Sequence, residues 1–137
     1  MSHAANDPSD PYNLQRFVDA QDPVYTRVLG ELHRGRKTTH WMWYIFPQLR
    51  GLGQSPMSER YGISSEDEAR AYLRHPTLGP RLRECVGIVN RTQGHSAHDI
   101  FGYPDDFKFH SCLSLFSAAA PHDEVFSTAL QKYFPEK

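Results

Sequence analysis

The chain has 137 residues, 39% of them hydrophobic and 23% charged, enough for one domain with a buried core and too few for two. Its 15 lysines and arginines nearly balance 16 aspartates and glutamates. That balance denies the molecule the global positive field that recruits nucleic acid or an anionic membrane, so both are disfavoured as partners and only local patches remain.

Residues 1–9 are small and polar, a composition that does not repay the entropy of ordering, and the expectation is a disordered tail followed by one helical domain over 10–137. The start of the chain lacks the basic and apolar regions of a signal peptide, and no apolar run reaches bilayer length, so a cytoplasmic protein is expected. Leu14, Phe17 and Val18 mark one side of a first short helix. Asp22-Pro23 reads as a capping carboxylate and an N1 proline ahead of a second, which carries Tyr25, Val28, Leu29 and Leu32. His33-Arg34-Gly35-Arg36-Lys37 then reads as a solvated helix end, where cations complement free carbonyls and Gly35 makes the turn, with a local anion site as the alternative.

The run Trp41 to Phe46 has strand propensity, but no other segment alternates with period two, so a strand here would lack partners. Helix is therefore expected, capped by Thr38 or Thr39 and ended near Pro47. Both tryptophans sit here, beside a loop hinged by Gly51 and Gly53, and residues two apart on a helix face different ways. One tryptophan should be core and the other should border the loop.

Ser55-Pro56 opens a short helix closing at Gly62, and Ser65 with Glu68 matches a capping box. Leu78, Leu82, Val86 and Val89 form the next stripe after His75-Pro76, and Ser96 to Asp99 offers another cap. Pro104 begins a longer helix with Phe109, Cys112, Leu113 and Phe116 on its core face. Asp123 starts the last helix, with Val125, Phe126, Ala129, Leu130 and Tyr133 turned inward. Cys85 and Cys112 lie within apolar helical patterns and read as reduced, buried thiols. The fold class expected is a compact all-α single domain of about seven to nine helices, several of them short.

Chemistry is less legible. Asp105, Lys108 and Ser111 are spaced by threes, so they share one flank of their helix and read either as a surface ion pair or as a lysine oriented toward a phosphate or carboxylate. His40, next to the tryptophans, has the right chemistry for an acid, base or donor near neutral pH, or for a cap or a bond to a core carbonyl. Of eight histidines, His95 and His98 have only Asp99 as a further ligand nearby, so no metal site is expected. GxSxG, GxGxxG and GKS/GKT motifs are absent, which disfavours a serine hydrolase and the common nucleotide folds; no cofactor is expected.

His40-Trp41-Met42-Trp43, then Phe46-Pro47-Gln48-Leu49-Arg50-Gly51-Leu52-Gly53 and Ser55, together with Asp105 or Asp106, Lys108, Ser111 and Leu115-Phe116, resembles the bacterial family called domain of unknown function 1810, sometimes mislabelled calpastatin. The resemblance covers the chain from about Asp10 onward and implies a small, mainly helical domain without an established activity. Cys112 and Leu113 stand where that family's second motif leads one to expect Ser and Met. Ser55-Pro56-Met57, followed by Arg60 and Gly62, is faintly similar to the NADAR family, associated with NAD and ADP-ribose metabolism, although that family's Asp-Trp-Gly pattern is not evident. The expected site comprises His40, Trp43, Gln48, Arg50, Gly51, Gly53, Ser55, Arg60, Asp105, Lys108 and Ser111. It would bind a small phosphate-containing ligand, in the manner of an ADP-ribose-like nucleotide whose N-glycosidic bond is hydrolysed. The alternative is a protein-interaction module whose aromatics are core and whose loop meets a protein partner.

Overall fold

A computed structural model describes residues 8–135. Among these residues nine helices and no strand are found: α1 Gln15–Gln21, α2 Tyr25–His33, α3 Met42–Ile45, α4 Pro56–Tyr61, α5 Glu66–Arg74, α6 Leu78–Arg91, α7 Ala97–Phe101, α8 Asp105–Ala119 and α9 Glu124–Tyr133. The fold is all-α, and one isolated bridge pairs Leu49 with Ile63. No helix among the described residues is long and apolar enough to cross a membrane. Most of the expected tail lies outside the described residues; Pro8 and Ser9 are exposed.

Helices α5, α6, α9 and α8 pack in a closed ring, each against the next, while α2 lies on α6, α7 on α8, and α3 between α1 and α4. Apolar spacing explains the ring. Leu78, Leu82, Val86 and Val89 of α6, and Phe109, Cys112, Leu113 and Phe116 of α8, are all at most 1% exposed. At ~25 cal/mol for each Å² of apolar surface buried, stripes of this kind supply most of the drive for association. Phe126 and Ala129 of α9 are fully buried, whereas Val125, Leu130 and Tyr133 border the core. A line of rings runs from Phe126 through Phe116, Tyr72 and Phe17 to Tyr61, with centroids 5.1–5.8 Å apart. Burial pushes the Cys85 thiol up to about 12 and the Cys112 thiol well above its usual range, so both are inert, free thiols.

The caps divide into those that close locally and those whose side chain is drawn elsewhere. Ser55 caps α4 with Pro56 at N1, and Ser96 and Asp99 form a complete capping box on α7. Ser65 accepts from Glu68 N, but the Glu68 carboxylate does not return to Ser65: it accepts from Ser64 and, at 2.9 Å, from Arg16 Nη2. Asp22 closes α1 rather than opening α2, whose N-cap is Val24, and its carboxylate reaches Arg81 at 2.9 Å. Asp123 stands at the N-cap of α9 but gives its carboxylate to Arg83 at 2.6 Å. In each case the carboxylate also meets an arginine distant in sequence, and only Glu68 keeps a local N–H donor, Ser64 N, beside it.

Candidate functional site

The short helix α3 separates the tryptophans as its geometry requires: Trp41 is 1% exposed and Trp43 is half-buried. Trp41 packs on Phe46 at 6.0 Å and donates its indole N–H to Glu31 Oε1 at 2.9 Å. Glu31, on α2, is 1% exposed and accepts three further bonds, from Thr38 N, Thr39 N and Thr39 Oγ1 at 2.6–3.1 Å. Burial raises the Glu31 pKa, but the Thr39 hydroxyl, the amides of Thr38 and Thr39 and the Trp41 indole outweigh it and hold the carboxyl at about 2. Neither threonine side chain caps α3, because Thr39 serves this carboxylate and the N-cap residue is Trp41 itself.

On the other side of α3, Trp43 lies between a lysine and a loop. Lys108 Nζ stands 4.3 Å from the ring centroid, a cation–π contact. A Cβ on Gly53 would fall 3.2 Å from Trp43 Cη2 and 2.9 Å from Ser58 Cβ, so only glycine lets the loop approach this closely. Gly51 supplies the other glycine property, a backbone φ of 96°, with open space around it.

Asp105 joins the two tryptophan environments. Its Oδ1 accepts from Lys108 Nζ at 3.2 Å and its Oδ2 meets Lys37 Nζ at 2.8 Å. Lys37 in turn stands 5.2 Å from the Trp41 ring centroid, with a side chain only 8% exposed. One carboxylate thus holds two ammonium groups, each over a tryptophan. The expected Asp105–Lys108 pair is present, but Lys37 is no solvated helix cap: it is a partly buried member of the same cluster.

The contacts bring together Trp43, Gly53, Asp105 and Lys108, with Ser55 attached through its bonds to Ser58 and Ser111 half-buried one turn beyond Lys108. They do not bring Arg50 or Arg60 to Trp43. Arg50 donates to the Gly62 carbonyl at 3.3 Å, and Arg60 lies over Tyr61 at 5.6 Å. Gln48 is 8% exposed, and its carbonyl accepts from Ile63 N at 2.9 Å. His40 is exposed, its carbonyl accepting from Tyr44 Oη. Sequence reasoning missed Glu31 and Lys37, which resemble ordinary helix and loop charges; the one local signal is that Glu31 follows Val28 by three positions and so shares its inward face.

Concavities lie elsewhere among the described residues, four of which are well formed. One of about 510 Å³ lies between Asp10, Tyr12 and His75, and one of about 680 Å³ between Arg83 and His122. Two more, of about 280 and 630 Å³, share Arg34, Gly35 and His95. Among the described residues, no three His, Cys, Asp or Glu side chains converge as metal ligands would.

No curated protein matches the chain. The crystal structure of the conserved hypothetical protein Rv1873 from Mycobacterium tuberculosis has the same fold, with a TM-score of 0.90 and 57% sequence identity over 91% of this chain and 89% of that one. The family model described as protein of unknown function DUF1810 matches residues 11–137, and the chain belongs to that family.

Proposed function

We propose that the surface where Trp43 and the Gly51–Ser55 loop meet Lys108 binds a small anionic ligand, with Lys108 as the donor to a phosphate or carboxylate. The observation that carries this reading is the cluster of two lysines on one aspartate, with Lys108 held 4.3 Å over Trp43. One carboxylate balances only one of the two ammonium charges, and a lysine already oriented loses less freedom when an anion arrives. Trp43 and the loop backbone are the natural neighbours for the sugar or base of an ADP-ribose-like nucleotide. Cleavage of its N-glycosidic bond is the reaction we propose to assay.

Thermal shift with ADP-ribose, AMP and ribose 5-phosphate tests binding, since a ligand at 100 times its Kd stabilises by ~2.7 kcal/mol. Lys108→Met should keep the fold and weaken the ligand found by about 1.5–3 kcal/mol, the worth of a hydrogen bond to a charged group. Chromatographic detection of free base tests the reaction. Unchanged affinity in the variant removes Lys108 from the site.

A second reading, a protein-interaction module, is favoured by a different observation. Leu49, Leu52 and Met57 are 38%, 60% and 37% exposed along the same segment, an apolar edge suited to a protein partner. Absence of binding to all three ligands would shift the preference to this module.

A further inference from the structure

The two adjoining concavities at the C-terminal ends of α2 and α6 form one basic trough. Arg34 and His95 line both halves, Arg91 lines the smaller, and Arg36 and His98 line the larger. The walls are fixed to each other. Lys37 N donates to the Ile100 carbonyl at 2.7 Å, and a Cβ on Gly35, whose φ is 73°, would lie 2.5 Å from His95 Cδ2. His95 Nδ1 is 2.9 Å from the Gly94 carbonyl and acts as a donor to it, which orients the imidazole against the Gly35 backbone.

The charges in this trough exceed what its backbone accounts for. A helix C-terminus carries roughly half a negative charge, so two of them offset about one cation. Three arginines line the trough, and none has a carboxylate partner among the described residues. Asp99 is the one acidic residue in the lining, and it accepts from Ser96 N at 2.9 Å to close its own capping box. Lys37 is already matched by Asp105, and His98 faces Asp106 at 3.4 Å. The one Phe of the lining, Phe101, is 6% exposed, and the exposed rings there are the imidazoles of His33, His95 and His98. Charge and hydrogen-bond donors, rather than apolar contact, are therefore what this surface recognises.

We propose that this trough is a site for a compound carrying two or more linked phosphates, bound by Arg34, Arg36 and Arg91 with His95 between them. The larger half, about 630 Å³, has room for such a group. The site is independent of the reading given for Trp43 and Lys108, and its failure is distinguishable from the failure of that one.

The test is calorimetric titration of the full chain with inorganic tripolyphosphate. Wild-type protein should bind, and the double variant Arg34→Gln with Arg36→Gln should bind at least about tenfold more weakly, because each arginine contributes charged hydrogen bonds. Arg91→Gln should show a smaller loss, and Arg74→Gln, an exposed arginine outside the lining, should bind as wild type. All the altered arginines are exposed, so thermal melts should be unchanged and loss of binding is not loss of fold. Three outcomes would overturn the proposal: no binding by wild-type protein, equal binding by the double variant, or an equal loss in Arg74→Gln, which would make the attraction one of overall charge. Tighter binding of a single-stranded oligonucleotide, lost with the same arginines, would replace the small ligand with nucleic acid.

Discussion

The two cationic regions of this molecule treat charge in opposite ways. Around Trp41 and Trp43, Lys37 and Lys108 are packed over rings and tied to one aspartate, and Glu31 is saturated with four donors. In the trough a few residues away, Arg34, Arg36 and Arg91 are exposed and meet no carboxylate among the described residues. Burial accounts for the difference, since a charge removed from water has to be paired or saturated while an exposed one loses little by standing alone. The first region should therefore be coupled to stability, and the second to ligand binding alone.

The largest effect should come from Trp41→Ala. It removes a fully buried aromatic and one Glu31 donor and should cost about 3–5 kcal/mol in denaturant unfolding. Trp43→Ala should cost about 1–2 kcal/mol, since its ring is half-buried and its lysine contact is partly exposed. Equal losses at the two positions would erase the distinction between core and border.

Next is the acid limb of stability. The Glu31 carboxyl is held at about 2, below its ordinary value, so its contribution is complete above the unfolded pKa near 4.3 and is lost as pH falls through the folded value. About 3 kcal/mol should disappear between roughly pH 5 and pH 2. Glu31→Gln should be less stable than wild type at pH 7 and should lose less on acidification; parallel pH profiles for the two proteins would show that other carboxylates govern this limb.

Asp105→Asn tests whether the shared carboxylate is structural. It leaves Lys37, with its side chain 8% exposed, without its anion, for which a loss of about 3 kcal/mol is expected. Lys108→Met should cost under ~1 kcal/mol, because its ammonium reaches solvent. A reversal of that order would make Lys108, not Lys37, the buried partner.

The smallest effects concern the loop and the trough. Gly53→Ala should change the emission of Trp43 while moving the melting temperature little, since the atoms nearest its Cβ belong to Ser58 and Trp43, on the short helices α4 and α3. Arg34→Gln and Arg36→Gln should each stay within ~0.5 kcal/mol of wild type. A clear loss of stability from either would mean that the trough is a packed feature like the tryptophan cluster.

Sequence alone determined the helices, their inward faces and the asymmetry of the tryptophans. These follow from spacing along one chain: periodic apolar residues on α6 and α8, Ser55-Pro56 and Ser96 to Asp99 as local starts, Asp105 and Lys108 three apart. What only the tertiary structure decided is where the charges go. Asp22, Asp123 and Glu68 read as caps and Lys37 as part of a solvated helix end, and nothing local singles out Glu31, because a cap or an exposed charge is defined by near neighbours. Their partners are Arg81, Arg83, Arg16, Trp41 and Asp105, most of them distant in sequence and supplied by other elements. A pairing across 40 or more positions, as for Arg83 with Asp123, leaves no period in the sequence. It arises only when apolar packing has set the helices side by side and the nearest opposite charge becomes the cheapest replacement for water.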